Sequence, residues 1–264
     1  MQLTLFIFSI LALLESDKRL RAHSIKVNNF RSFRVLEEMK LGRLATIVGQ
    51  NDVGKSNILR ALQIFFKSKG KPEVSDVCTN TGQEDDVIIE VAFNLLPVTI
   101  EIEDGIQTNF QEEMLVDSDG YLRIRKKYPR DNLGKYTITL ITQDFQDPRF
   151  AGLASLNEKE LNSRCNDAEI PATLAGRGVT NKGKREQIRA KAKEEHITWG
   201  DSELPLTQTH KLWKKIESLL PKFELFETDT RLGVEETTFQ SKFRPVVNKA
   251  AEQTTVITAK EAFT

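Results

Sequence analysis

Strands are predicted wherever apolar and polar residues alternate along the chain. The alternation is clear in residues 25–33 and 34–41, and it returns in residues 87–95, 121–128 and 136–145. Acidic or glycine-containing turns separate the last three segments. We therefore expect these three segments to form an antiparallel side sheet.

A different pattern occupies residues 44–66, "LATIVGQNDVGKSNILRALQIFF". Its first part is a compact apolar run that ends at Gly49, as buried strands do when they lead into a loop. From Lys55 onward the apolar residues recur at helical spacing on one face, namely Ile58, Leu59, Leu62, Phe65 and Phe66. The pattern predicts a strand, a polar loop and a helix whose apolar face packs on the sheet.

The rest of the chain is more polar. Residues 146–206, which include "KREQIRAKAKEEH", have few apolar residues to hold them, and we expect a mobile, projecting helical segment there. Residues 207–264 contain a helix, "LTQTHKLWKKIESLLP", a short strand, "KFELFETD", and a further helical pattern from about 237 to 252. The predicted division is an apolar extension (1–22), a lobe with a β-subdomain (23–145), the helical insertion and an incomplete C-terminal part.

Composition excludes several classes of function. The chain has 264 residues, 39% of them apolar, which is enough to bury a sizeable core. Lys plus Arg and Asp plus Glu number 38 each, so no overall charge attracts nucleic acid or membrane, and any such contact must be local. Cys78, Cys165 and the three histidines show no metal-ligand spacing. We expect a reducing compartment and no structural zinc.

The loop in "GQNDVGKS" carries the strongest chemical signal. It satisfies G-x-x-x-x-G-K-[ST] with Gly49, Gly54, Lys55 and Ser56, and it lies between a predicted strand and a predicted helix, as the motif requires. The glycines let the backbone approach phosphate oxygens closely, with its amides turned inward, and the helix N-terminus adds unpaired amides and a positive dipole end. This pattern predicts a polyphosphate site.

The motif also gives its residues individual roles. Lys55 is expected to reach the β- and γ-phosphates, and Ser56 to bind Mg²⁺ through its hydroxyl. The alternative is a glycine-rich turn in which Ser56 only caps the helix. The predicted cofactor-binding residues from the loop are Gly49, Gln50, Asn51, Asp52, Val53, Gly54, Lys55, Ser56 and Asn57.

Residues 24–66 resemble the N-terminal ATP-binding lobe of ABC-type ATPases of the RecF, SMC and OLD group, with the OLD-family ATP-dependent endonucleases most similar. The matching residues are Asn29, Phe30, Arg31, Phe33, Gly49, Asn51, Gly54, Lys55, Ser56, Asn57, Ile58, Leu59 and Ala61. The resemblance implies an α/β P-loop NTPase lobe with a mixed sheet and an antiparallel side sheet, ATP and Mg²⁺ as cofactors, and ATP hydrolysis. It also implies that Arg31 lies near the nucleotide, that a homodimer or partner chain completes the site, and that DNA is a possible ligand.

Two motifs of that group are not evident. "FELFETD" ends in Asp229 but is a poor Walker B strand, and "LAGRG" (174–178) resembles the signature only loosely. Gln143 could be a Q-loop glutamine, but the favoured interpretation is a polar residue at the end of a strand. We therefore expect the chain to be a fragment, a truncated gene product or half of a split ATPase, and the sequence identifies no catalytic residues.

Two functions follow from this reading. The first is a MgATP-binding lobe of an ATPase linked to DNA repair, DNA cleavage or phage defence, with little turnover when isolated. The alternative is a non-catalytic assembly or regulatory module that nucleotide controls and a partner chain completes.

Weaker patterns have ordinary explanations. Asp117 and Asp119 in "VDSDG" resemble a metal-binding D-x-D, but the sequence favours a tight turn. Two basic groups could contact phosphate backbone, although a solvated face is the favoured reading. They are Arg123, Arg125 and Lys127 on one strand face, and Lys182, Lys184, Arg185, Arg189, Lys191 and Lys193 in the helical segment.

The start of the chain leaves three possibilities open. Residues 3–14, "LTLFIFSILALL", are almost entirely apolar but too few to span a bilayer comfortably. They are a signal-like segment without its basic start, a short membrane anchor or an extension ahead of the domain. We favour the extension and a cytoplasmic location, because ATP chemistry belongs in the cytosol.

Overall fold

The structure is a computed structural model that describes residues 6–8, 20–42, 45–47, 54–67, 70–79, 85–103, 105–171 and 179–223. All of these residues belong to one compact unit. Residues 11–16 and 224–264 belong to a second unit and are not among the described residues. The strands are β1 (Phe6–Phe8), β2 (Arg21–Phe30), β3 (Phe33–Lys40), β4 (Ala45–Ile47), β5 (Val87–Asn94), β6 (Ile100–Glu103), β7 (Ile106–Thr108), β8 (Leu122–Tyr128), β9 (Thr137–Phe145) and β10 (Trp199–Leu206). The helices are α1 (Lys55–Phe66), α2 (Glu158–Asp167), α3 (Asn181–Glu194) and α4 (Lys211–Leu219).

A six-stranded sheet in the order β10-β9-β8-β5-β2-β3 organises the α/β fold. The predicted antiparallel sheet is confirmed, but it is larger than expected because β2, β3 and β10 join the three predicted strands. Every strand pairing between described residues is antiparallel, including β1 with β4 and β6 with β7. The parallel pairings of the expected mixed sheet are therefore not found among the described residues.

Helix α1 packs on one face of this sheet, as its pattern predicts. Ile58, Leu62 and Phe65 are buried, and the Phe65 ring lies 6.1 Å from that of Phe93 on β5. Helix α4 contributes the buried Trp213 to the same core. The apolar stripes of both helices thus bury one face of the sheet.

The opposite face of the sheet carries paired charges. The guanidinium groups of Arg123 and Arg125 both contact the buried Glu90, at 3.3 Å and 2.8 Å. Lys127 lies 2.9 Å from Asp86. The prediction of a solvated face is therefore wrong for the buried Arg123, whereas Arg125 is partly exposed and Lys127 is exposed, each with an acidic partner from another segment.

The segment 146–206 contains the helices α2 and α3 but ends in strand β10, where the prediction of a helical segment is wrong, and it is better anchored than its polarity suggests. Its helices share a second apolar core consisting of Phe145, Phe150, Leu153, Leu161, Cys165, Ala168, Ile188 and Ala192. Arg185 and Arg189 are buried and contact the Glu113 carboxylate at 2.9 Å and 2.8 Å. Lys184 is also buried, 3.5 Å from Glu158. For these three residues the solvated-face reading is wrong, since distant acidic partners cannot be seen in the local sequence.

Burial and ion pairing act in opposite directions on Glu113. Burial raises the pKa of this carboxyl, but Arg189 and Arg185 lower it by more, so the net pKa is below its usual value. The carboxylate is therefore held charged between two arginines. This pairing fixes α3 to the chain preceding β8.

The turn reading of Asp117 and Asp119 is confirmed. The Asp117 carboxylate accepts the amides of Asp119 and Tyr121 at 3.0 Å and 2.9 Å, and its other oxygen accepts from Arg123. No cluster of acidic, histidine or cysteine side chains among the described residues could hold a metal ion. Cys78 and Cys165 are buried and form no disulfide.

Several predictions fall outside the described residues. They concern most of the apolar N-terminal run, "LAGRG", Asp229 and the helical pattern near 237–252. In the part of the chain that is described, no helix is long and apolar enough to cross a membrane.

Candidate nucleotide-binding site

The described part of the predicted site is the start of α1 and the turn beside it. Gly54, Lys55, Ser56, Asn57 and Arg31 are all described, and the structure brings them together. The other predicted loop residues, Gly49, Gln50, Asn51, Asp52 and Val53, lie outside the described residues.

Gly54 ends the loop in a backbone conformation that suits glycine. Its φ is +90°, in the left-handed region, and its carbonyl accepts the amides of Asn57 and Ile58 at 3.0 Å and 3.4 Å. A Cβ atom at this position would lie 2.7 Å from Ser32 Oγ and 2.9 Å from Phe33 Cζ. The structure thus adds a reason for glycine that sequence reasoning missed, namely contact with the turn between β2 and β3.

The first turn of α1 leaves polar groups available at its N-terminus. Among the described residues no side chain caps the helix, and its first turn contains no acidic residue. The N-cap position is Gly54, so Ser56 does not cap the helix. Ser56 is exposed, and no described residue hydrogen bonds to its hydroxyl, whereas Lys55 is buried at the helix start. An exposed hydroxyl and uncapped amides beside a lysine fit a magnesium-bound triphosphate.

Arg31 connects the β2–β3 turn to this helix. Its Nη1 donates to Asn57 Oδ1 at 3.1 Å, and Asn57 Nδ2 donates to Ser32 Oγ at 2.9 Å. Arg31 has a positive φ of 49°. The predicted residues Arg31 and Asn57 are therefore in direct contact, next to the serine of the motif.

Asp76 is a site residue that sequence reasoning missed. Its carboxylate accepts from Arg31 Nε at 2.6 Å and from Arg60 Nη2 at 3.3 Å, and its carbonyl accepts the Arg31 amide at 2.7 Å. Burial raises the pKa of the Asp76 carboxyl, but the Glu73 amide, Arg31 and Arg60 lower it by more. The only local signal was the E-x-x-D spacing of a capping box from Glu73 to Asp76, which says nothing about Arg31.

Gln143 lies inside β9, where its side-chain amide donates to Asp201 on β10. Its backbone amide donates to the Val116 carbonyl at 2.8 Å. These contacts fit the favoured reading of a polar strand residue.

Comparison with known proteins identifies the family of the chain. The sequence model of a protein family, described as an AAA ATPase domain, matches residues 22–263. The DNA replication and repair protein RecF of Rickettsia bellii is 36% identical over 63 residues, which are 23% of this chain and 18% of that protein. RecF of Rickettsia felis is 29% identical over 75 residues, 28% of this chain and 20% of that protein. An uncharacterized Methanocaldococcus jannaschii protein is 42% identical over 52 residues, 20% of this chain and 16% of that protein.

The aligned regions thus span about a fifth of the length of the curated relatives. No solved structure matches the chain. The family match implies nucleotide binding, typically with Mg²⁺, and the matching Rickettsia proteins are named as DNA replication and repair proteins. Because the family model covers most of the sequence, the chain belongs to the AAA ATPase domain family.

Proposed function

We propose that the chain binds MgATP in the loop from Gly49 to Asn57 and acts as the ATP-binding lobe of an OLD- or RecF-like ATPase. The pathway would be DNA repair, DNA cleavage or phage defence, with DNA as a possible ligand. The observation that carries the proposal is the start of α1, where Gly54, Lys55 and Ser56 of the phosphate-loop motif meet an uncapped helix N-terminus. Similarity to proteins named for DNA replication and repair supports the link to DNA.

Each residue has a distinct role in the proposed site. The Lys55 ammonium balances charge on the β- and γ-phosphates, and backbone amides of the loop and first turn hydrogen bond to phosphate oxygens. The Ser56 hydroxyl is a ligand for Mg²⁺, which draws charge from the phosphate oxygens when it is bound. Arg31, held by Asp76 and Asn57, adds positive charge beside the loop.

Titration calorimetry with MgATP tests the binding site. The wild type is expected to bind, and Lys55→Ala to show no detectable binding because the phosphates lose their charged partner. Lys71→Ala, which removes an exposed lysine after α1, is the control and is expected to bind as the wild type does. Retained affinity in Lys55→Ala would refute the assignment.

A second candidate is a nucleotide-controlled assembly module without hydrolysis of its own. The observation that favours it is the lack of an evident Walker B strand and signature turn in the sequence. Under this proposal the isolated chain hydrolyses little or no ATP, and a partner chain, or a second copy, supplies the missing groups. Phosphate release by the purified chain that disappears in Lys55→Ala would instead show a complete ATPase.

A further inference from the structure

An unexpected charge lies in the core beneath the nucleotide-binding helix. Lys126 is on β8, on the same face as the buried Leu122, Ile124 and Tyr128, and only 1% of its surface is exposed. A lysine is almost never fully buried unless it is paired. No carboxylate among the described residues forms an ion pair with Lys126, although ion pairs are frequent on the other face of the sheet.

The Lys126 ammonium is instead held by the end of α1 and by three aromatic rings. Its Nζ donates to the Phe65 carbonyl at 2.7 Å. The same atom lies 5.0 Å from the centre of the Phe65 ring, 4.9 Å from that of Tyr136 and 5.5 Å from that of Trp213. Rings attract a cation through their negative faces, and the helix C-terminus attracts it through its dipole. The three rings form an aromatic cage around the ammonium, and the Phe65 carbonyl joins the ammonium to the last turn of α1.

The charge is costly for the fold. Burial lowers the pKa of Lys126 to about 8, with Glu217 on α4 acting in the opposite direction. Tyr136, the other titratable group at the cage, has its pKa raised by burial and by Glu217. An apolar side chain of similar length would fill the same space without removing a charge from water. The fold alone therefore gives no reason for a lysine here.

What the ammonium adds is direction. Apolar contacts are non-directional, so they hold α1 against the sheet without fixing its position along the sheet. A hydrogen bond to one carbonyl in the last turn does fix that position. Helix α1 is a rigid element of 12 residues, so a fixed last turn also fixes where its first turn presents Lys55 and Ser56.

We propose that Lys126 is a positioning residue for the nucleotide site: its ammonium, which lies in the aromatic cage, hydrogen bonds to the C-terminal turn of α1 and holds that turn in place. This inference rests on the proposed function, because it concerns the same helix. Lys126 does not touch the nucleotide. It sets the position of the helix that does.

The test separates positioning from stability. Lys126→Met keeps the length of the side chain and removes its charge, so its urea midpoint is expected to equal or exceed that of the wild type. Its dissociation constant for MgATP is expected to rise about five-fold or more, within the usual range of coupling between distant sites. Lys127→Met is the matched control, because it removes a neighbouring, half-exposed lysine from the other face of β8. Both its midpoint and its affinity are expected to stay unchanged.

Three results would overturn the inference. Lys126→Met could bind MgATP as the wild type does, or it could lose affinity and stability together, as a purely structural residue would. If the wild type does not bind MgATP, both the proposed function and this inference are wrong. If Lys126→Met binds MgATP as tightly as the wild type does, only this inference is wrong.

Hydrogen exchange on the wild type gives a second measurement that needs no variant. MgATP is expected to slow exchange of the amides at the end of α1 and around Trp213 by about five-fold or more, the same coupling seen from the other site. Protection confined to the first two turns of α1 would contradict the inference.

Discussion

Replacing Gly54 by alanine tests the packing of the phosphate loop against the β2–β3 turn. Two costs are expected for Gly54→Ala. The first is conformational, because φ is +90° and an L-residue pays roughly 1–2 kcal/mol in the left-handed region. The second is steric, because the new Cβ would lie 2.7 Å from Ser32 Oγ and 2.9 Å from Phe33 Cζ. Overpacking of this kind typically costs about 1–3 kcal/mol.

Gly120→Ala is a matched control that carries only the first cost. Gly120 has a φ of +78°, and a Cβ there would meet no atom within 4 Å. We therefore expect Gly120→Ala to lose roughly 1–2 kcal/mol and Gly54→Ala roughly 2–5 kcal/mol. At about 2–4 °C per kcal/mol, the melting temperature of Gly54→Ala should fall several degrees below that of Gly120→Ala.

Thermal and urea unfolding, followed by circular dichroism, measure both variants. Ser32→Ala removes the nearer atom but also the hydrogen bond from Asn57, so the cost of Gly54→Ala is measured in the Ser32→Ala background, where it should be smaller than in the wild type. Equal losses in Gly54→Ala and Gly120→Ala would refute the contact between the loop and the turn. An equal cost of Gly54→Ala in the wild-type and Ser32→Ala backgrounds would show that Ser32 is not the obstacle.

Three further predictions concern buried charges. Because the folded protein releases the Lys126 proton near pH 8 and the unfolded chain near 10.5, stability should rise between these values by at most roughly 3 kcal/mol. The free energy of unfolding should fall above about pH 10, because Tyr128 ionises in the unfolded chain but not in the folded protein, where burial raises its pKa. In urea unfolding measured against pH, Lys126→Met should abolish the increase in stability but keep this decrease. Glu113→Gln should lose about 3–5 kcal/mol in the same assay, since it leaves the buried Arg189 without its anion and Arg185 with Glu103 alone, whereas exposed Lys193→Gln should change little. Asp76→Asn should weaken MgATP binding in calorimetry, and because the folded pKa of Asp76 is lowered, the variant should lack stability that the wild type has above pH 3.8 and loses on acidification.

Local patterns predicted the elements that depend on local sequence. The alternation in residues 87–95, 121–128 and 136–145 gave β5, β8 and β9, because one face of each strand is buried. Helical spacing gave α1 for the same reason. The motif that contains Gly54 and Lys55 predicted a loop-to-helix junction, and the described half of that junction has the expected form.

Pairings between distant residues were not predictable in the same way. Arg185 and Glu113 are 72 positions apart, so the basic run around Arg185 looked solvated although its guanidinium is buried. Strand β10 was missed because its alternation is weak and only one face of it is partly covered. Asp76 was missed because its role depends on the fold of the β2–β3 turn that brings Arg31 to it.

The two ends of α1 show how such distant contacts bear on the candidate site. Asn57 in the first turn hydrogen bonds to the turn between β2 and β3, and the last turn hydrogen bonds to Lys126 on β8. These attachments are directional, whereas the apolar face between them is not, so together they determine where the helix lies along the sheet. A ligand that binds Lys55 and Ser56 stabilises the position that both attachments favour. Binding should therefore also slow hydrogen exchange at Phe65, at the far end of the same rigid helix. If a nucleotide leaves exchange in the last turn unchanged, the two ends of α1 are not coupled.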